Sequence, residues 1–349
     1  MKELIREGDH SQKVADVQAR LRALKLRVDD AGDYFGASTK QAVREFQQQR
    51  GILVDGIVGP NTWNELVEAS WRLGDRPLYL KVPVLRGDDV LTLQSRLNAL
   101  GFDAGREDGI FGRSTYEGVR AFQREYGVAE DGIFGRASHA ALLGLRVDRP
   151  DTASRLREEL RRLETGLAGA LVMIDPGHGG SDPGEIGPNG SAEAGICWDL
   201  ALRLAERLAR AGARIRFTRT EVEHPDPSER ARRANAAGAD LYLAIHLNAH
   251  PGGGSAEGAT TFHFGGSRSG ESLAEKLQEE VTSLGFKDCR SHARSYPVLR
   301  ETRMPAVLVE PGFITHPDDE KRLNDPDVRS AVADAIARGV ARFYEETAS

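Results

Sequence analysis

Residues 14–66 and 90–142 align with each other without a gap at a constant offset of 76. Gln18, Leu21 and Leu24 recur as Gln94, Leu97 and Leu100. Phe35-Gly36 and Ser38-Thr39 recur as Phe111-Gly112 and Ser114-Thr115. Val43, Phe46, Gln47 and Gly51 recur as Val119, Phe122, Gln123 and Gly127, and Asp55-Gly56-Ile57 with Gly59 recurs as Asp131-Gly132-Ile133 with Gly135. Such self-similarity confines the first part of the chain to two copies of one small unit. Within a copy, Val14, Val17, Leu21 and Leu24 repeat at helical spacing and give one apolar face. Thr39, Ala42, Val43 and Phe46 mark a second amphipathic helix, for which Gly51 supplies a stop. Asp55-Gly56 is a turn signal, and Thr62, Leu66 and Val67 predict a short third helix. Each copy is expected to be a three-helix module of roughly 60–70 residues.

A Gln-x-x-Leu helix, then Phe-Gly-x-x-Thr, Phe-Gln and Asp-Gly-Ile-x-Gly, resembles the peptidoglycan-binding domain found beside many cell-wall hydrolases. The first copy departs in one loop, with Gly32-Asp33-Tyr34 where the second has Asp108-Gly109-Ile110. The resemblance implies modules that hold a glycan or stem peptide. Nearly all the matching residues read as core or turn positions, so the pattern names the module without locating its groove.

The remainder of the 349 residues is long enough for a further domain. Hydrophobic residues make up 40% and charged residues 29%, a composition that excludes wholesale disorder, collagen and coiled coil. The 53 acidic side chains outnumber the 47 basic ones, which argues against a nucleic-acid partner. Cys197 and Cys289 are the only cysteines, so a disulfide framework and a cysteine-based zinc cluster are excluded, and any metal must be held by histidine and carboxylate. No run of about 18 apolar residues predicts a transmembrane segment. The first residues, Met1-Lys2-Glu3-Leu4-Ile5-Arg6, lack the apolar stretch of a signal peptide, so a cytoplasmic location is expected as written, and an envelope-associated or secreted one if the true start lies upstream. The break at 148–152 is followed by Leu156, Leu160, Leu163 and Leu167 on one stripe, which predicts an amphipathic linker helix over 148–168.

From residue 169 the pattern alternates. Short apolar runs at 171–174, 213–218, 241–246, 260–264 and 306–310 read as strands, and 194–211, 228–237, 270–284 and 327–345 read as helices. Alternation of this kind predicts an α/β domain with a largely parallel central sheet flanked by helices. The expected architecture is multidomain: two all-α three-helix modules (1–75 and 80–147), the linker helix, and the α/β domain (169–349).

Four polar residues stand at or beyond the ends of those strands or in the loop after the first: His178, Glu193, His246 and Glu310. Ligands of parallel sheets sit beyond the carboxyl ends of strands. Two imidazoles and one carboxylate form a zinc set with one coordination position open to water, and a second carboxylate is available to carry protons. Glu310 follows four apolar residues, where an unpaired buried charge is costly without a function.

The spaced motifs Ile174-Asp175-Pro176-Gly177-His178-Gly179-Gly180 through Asp182-Pro183-Gly184, Gly187 and Gly190 to Glu193, then Ala244-Ile245-His246-Leu247-Asn248-Ala249, then Met304-Pro305-Ala306-Val307-Leu308-Val309-Glu310-Pro311-Gly312-Phe313, are similar to the zinc-dependent N-acetylmuramoyl-L-alanine amidase family of the Amidase_3 type. The resemblance implies one Zn2+ held by His178, Glu193 and His246, with Glu310 as the catalytic acid/base. Arg230 and Asn235 fall where the family pattern places Arg and Asn, and Arg230 and Asn248 are the substrate-binding candidates. His250 and His263 are candidates to support the metal ligands from behind. Glu185 and Thr315-His316 depart from the family pattern, and the short Gly265–Gly270 connection leaves no room for an autoinhibitory helix. The implied activity is hydrolysis of the amide between N-acetylmuramic acid and L-alanine in peptidoglycan or muropeptides. The alternative reading, suggested by the missing export signal, is a cytoplasmic regulator of peptidoglycan precursor synthesis that binds protein partners or precursor without turning it over.

Overall fold

The computed structural model describes residues 4–143, 145, 166–250 and 253–346. The expected linker helix, with Leu156, Leu160 and Leu163, lies outside the described residues. Two compact units divide near residue 155.

In the first unit each repeat folds as three helices: α1 (Gln12–Ala23), α2 (Ala37–Arg50) and α3 (Pro60–Ala69), then α4 (Asp88–Ala99), α5 (Arg113–Glu125) and α6 (Arg136–Leu143). The two cores are built from equivalent positions of the repeat. Val14, Val17, Leu21, Val43, Phe46 and Leu66 are buried in one, and Val90, Leu93, Leu97, Val119, Phe122 and Leu142 in the other. The second core also draws in Leu73 and Leu78. Leu78 exchanges backbone hydrogen bonds with Phe134 as Ile5 does with Val58.

The repeated glutamines are turn clasps. The Gln123 side chain accepts the Gly132 N–H at 2.8 Å and donates to Asp131 Oδ1 at 2.9 Å and the Ile133 carbonyl at 3.1 Å. Gln47 clasps Asp55-Gly56-Ile57 and Gln94 clasps Asp108-Gly109-Ile110 in the same way. The clasped glycines take φ of 76°, 72° and 72°, which side chains resist. In the divergent first loop, the buried Gln18 keeps only its donor end bonded, to the Tyr34 carbonyl (2.8 Å) and Thr39 (2.9 Å), while its Oε1 finds no partner among the described residues. Gln123→Met should therefore cost roughly 1–3 kcal/mol, the penalty of orphaned buried groups, and Gln18→Met distinctly less. Hydrogen exchange of the helix amides in the full chain measures the difference, and equal losses would contradict the clasp.

The second unit is a six-stranded sheet between helices. Its strands are β1 (Leu171–Pro176), β2 (Arg214–Phe217), β3 (Leu241–Ile245), β4 (Ala259–His263), β5 (Asp288–Ala293) and β6 (Ala306–Glu310), in spatial order β2-β1-β3-β6-β4-β5. Only the β4–β6 pair is antiparallel. One face packs on α7 (Glu193–Arg210), α9 (Arg268–Thr282) and α12 (Pro326–Glu345) through residues such as Leu204, Leu277 and Ile336. The other packs on α8 (Pro227–Ala237) and the short α10 (Pro297–Arg300) through Ala234 and Leu299. β1 and β3 are buried along their whole length, which explains their unbroken apolar runs. The sequence pattern does not predict β5, α10 or α11 (Pro317–Asn324): β5 is a polar edge strand of alternating exposure without an apolar run. Only residues 264–267 separate β4 from α9, so among the described residues no helix is inserted there. No helix among the described residues is long and apolar enough to cross a membrane.

Candidate metal centre and active site

Neighbouring parallel strands β1, β3 and β6 end on the same edge of the sheet. The chain leaves β1 into Gly177-His178 and leaves β3 into His246, and Glu310 ends β6. The Gly177 N–H donates to the Ile245 carbonyl at 2.8 Å and the His246 N–H to that of Val309 at 3.0 Å, which locks the three strand ends together. Glu193, the first residue of α7 and 1% exposed, is placed between the two imidazoles. Its carboxylate lies 3.1 Å from His178 Nε2 and 3.1 Å from His246 Nδ1. One ligand atom from each of the three residues lies within 4.8 Å of the others.

The donor set fits a divalent ion. Two imidazole nitrogens and a carboxylate oxygen converge, and the surrounding backbone makes room for them. A Cβ on Gly177 would come within 2.5 Å of the His246 ring, and one on Gly184 (φ 69°) within 2.7 Å of His178 and 2.8 Å of Glu193. Each Glu193 oxygen is also held by a backbone N–H: Leu247 at 2.9 Å on Oε1 and Glu185 at 3.1 Å on Oε2. Glu185 itself is exposed and contributes its backbone. His178 Nδ1 lies 2.7 Å from Asp182 Oδ2, which fixes the ring with Nε2 toward the centre. Asp182 is the partner that supports the histidine; His250 instead contacts Ser255 and His263 the Phe264 carbonyl.

Beneath the loop lies a buried polar network. Asp175 accepts from Tyr242 Oη at 2.5 Å, from Arg230 Nη1 at 2.8 Å and from the Thr218 hydroxyl. Arg230 also donates to the carbonyls of Pro176 (2.8 Å) and His178 (2.7 Å), and Arg219 to those of Pro176 (2.8 Å) and Gly177 (2.9 Å). Two guanidiniums thus grip three consecutive carbonyls and hold His178 at φ 54°, in the left-handed region. Arg230, expected at the substrate, is buried under the loop and anchors it instead. Asn235 likewise clasps the chain ahead of β6, donating to the Glu301 carbonyl (2.7 Å) and accepting from the Arg303 N–H (2.8 Å). Asn248 ties the loop after β3 to Gly312 and Ile314 through its backbone, and its Oδ1 accepts from the Ala249 N–H at 2.9 Å. The loop over 185–191 is pinned by the buried Glu320 of α11, which accepts from Asn189 N at 3.0 Å and Nδ2 at 2.8 Å.

Burial and the neighbouring Glu193 charge push the Glu310 carboxyl up to about 8, against the pull of Arg294. Burial disfavours a charged His178, but hydrogen bonds and charge from Glu193 and Asp182 outweigh it and raise the ring to about 9. Burial would raise Glu193, yet the two histidines hold it well below the usual carboxylate range.

These shifts set a pH dependence. In the metal-free protein, His178 contributes stability that is complete below its ordinary 6.5 and lost as pH rises through about 9. Glu310, raised from 4.5 to about 8, binds its proton more tightly when folded, so it also lowers stability as pH climbs through that interval. A metal ion needs neutral His178 and competes with its proton, so the stabilisation it confers grows with pH. The metal-free Tm should therefore fall between pH 6 and 8 while the rise in Tm on adding zinc increases. Thermal unfolding with and without chelator checks this, and an increment that shrinks with pH would contradict it.

Residues 172–342 match the N-acetylmuramoyl-L-alanine amidase family, and residues 10–66 and 86–142 each match the peptidoglycan binding domain. The chain is 42% identical to the N-acetylmuramoyl-L-alanine amidase CwlM of Mycobacterium tuberculosis, over 97% of this chain and 89% of that protein. It is 34% identical to the N-acetylmuramoyl-L-alanine amidase LytC of Bacillus subtilis over 52% of this chain and 37% of that one. A solved N-acetylmuramoyl-L-alanine amidase of Clostridium difficile 630 aligns with a TM-score of 0.49 at 31% identity, covering 51% of this chain and 97% of that one. With near-full-length similarity to CwlM joined to a convergent His-Glu-His centre, the chain belongs to the N-acetylmuramoyl-L-alanine amidase family.

Proposed function

We propose that the protein hydrolyses the amide between N-acetylmuramic acid and L-alanine in peptidoglycan or muropeptides, with one Zn2+ held by His178, Glu193 and His246. The observation that carries this reading is the meeting of these three residues at the ends of β1 and β3, with Glu310 at the end of the adjoining β6. A zinc ion bound there supplies Lewis-acid activation of water and of the scissile carbonyl. Glu193, gripped by two backbone N–H groups, keeps both imidazoles in register, and Asp182 holds His178 with Nε2 forward. Glu310 takes the proton of the attacking water and delivers it to the leaving nitrogen. Its raised carboxyl suits a group that must both accept and donate near neutral pH. The two helical modules tether the enzyme to wall polymer and raise its effective concentration there.

The test is zinc-loaded full-length protein on N-acetylmuramoyl-peptides, read by mass spectrometry. The reading predicts free N-acetylmuramic acid and a peptide with a new L-alanine amino terminus. Stoichiometric zinc without turnover on any muropeptide would overturn it.

A further inference from the structure

This inference rests on the amidase reading above. In that reaction the general acid must reach the nitrogen that leaves, so the peptide half of the substrate lies on the Glu310 side of the metal ligands. Across the sheet the ligands stand at β1 and β3, Glu310 ends the next strand, β6, and β4 and β5 lie beyond it. On that side Phe262 opposes Leu308, which shares a sheet face with Glu310 two residues on. The Arg294 guanidinium lies 5.6 Å from the Phe262 ring centroid, and the Tyr296 ring packs edge-on against the same ring at 5.6 Å. Arg294 is partly exposed; its backbone N–H donates to the His263 carbonyl at 2.8 Å, and one guanidinium nitrogen, Nη1, donates to the Ala293 carbonyl at 3.0 Å, which orients the fork. β4 and β5 run opposite to β6, so Ala293 is level with Val307, and the Arg294 guanidinium lies over Phe262, one step nearer Glu310; its charge acts on Glu310 and on the Tyr296 hydroxyl.

We propose that Arg294 is a specificity-determining residue that binds a carboxylate of the peptide on the leaving side of the scissile amide. A guanidinium presents its donors as a planar fork that matches a carboxylate with two parallel bonds.

The test compares two substrates that differ only in carrying carboxylates or carboxamides there, N-acetylmuramoyl-L-alanyl-D-glutamic acid and its diamide, on zinc-loaded full-length protein. For Arg294→Ala, KM for the acid should rise roughly 10- to 100-fold, the worth of a charged hydrogen-bonded contact. Any change in kcat from losing this charge near Glu310 falls equally on both compounds, so the acid-over-amide ratio of kcat/KM should drop by that same factor, and continued turnover of the amide shows the variant to be folded. Arg294→Lys should recover part of the loss. An equal loss on both substrates, or no loss on either, would overturn the assignment. If wild-type protein turns over neither compound, the amidase reading fails by itself. Calorimetric binding of L-alanyl-D-glutamate to wild type and Arg294→Ala then decides the carboxylate site, and equal affinity would sink it.

Discussion

Glu310→Gln should lower kcat roughly 10²- to 10⁴-fold, the range for removing a positioned general acid/base, while zinc content stays at one ion per chain. Glutamine keeps the shape of the side chain and cannot carry the proton. Burial already favours the uncharged carboxyl at this position, so the neutral amide is tolerated by the fold. KM should move little, because the group acts on charge that develops in the transition state. Steady-state kinetics on a muramoyl peptide, with metal analysis on the same preparation, separates this from metal loss. A variant that retains more than about a tenth of the wild-type kcat lies far outside the general-acid range and would remove Glu310 from its assigned role.

The second large effect is expected at Glu193. Its carboxylate reaches both imidazoles, and it is 1% exposed. Glu193→Ala removes a metal ligand and the group that holds His178 and His246 together, so stoichiometric zinc should be lost along with activity. Asp182→Asn leaves every ligand in place and removes the carboxylate that faces His178 Nδ1, along with its charge near His224, so its zinc affinity should fall roughly 10- to 100-fold. Competition against a fluorescent chelator measures both. Equal affinities in the two variants would contradict the ranking of ligand above support.

The strands and helices that carry the centre were legible in the sequence because each has a long apolar signature. Leu171–Ile174 and Leu241–Ile245 form uninterrupted apolar runs, and such runs belong to strands buried on both faces. His246 stood out because a polar residue directly after such a run needs a reason, and His178 because it sits in a glycine-rich loop beyond one. The repeat was legible for a different reason: turn clasps such as Gln123 with Gly132 demand the same residues in both copies, whether or not a ligand binds there. What stayed hidden depends on contacts between residues distant along the chain. Arg219 looks like a surface cation in sequence and Arg230 reads as a substrate-binding candidate, yet both converge on the carbonyls of residues 176–178. Glu320 looks like a solvated helix residue, yet it is fully buried and pins a loop about 130 residues earlier, as its bonds to Asn189 show. Asp182 carried a signal that could be used, a carboxylate four residues beyond a ligand histidine in the same glycine-rich loop. β5 had none, since an edge strand with polar residues on both faces reads as loop.

The central claim is that His178, Glu193 and His246 grip one zinc ion. Anomalous diffraction collected across the zinc absorption edge, on crystals of the zinc-loaded protein, tests it most directly. The account predicts a single strong peak within bonding reach, about 2 Å, of an imidazole nitrogen from each histidine and of the Glu193 carboxylate. Zinc seated on any other set of residues, or no peak at this centre from protein that has been given the metal, would contradict it.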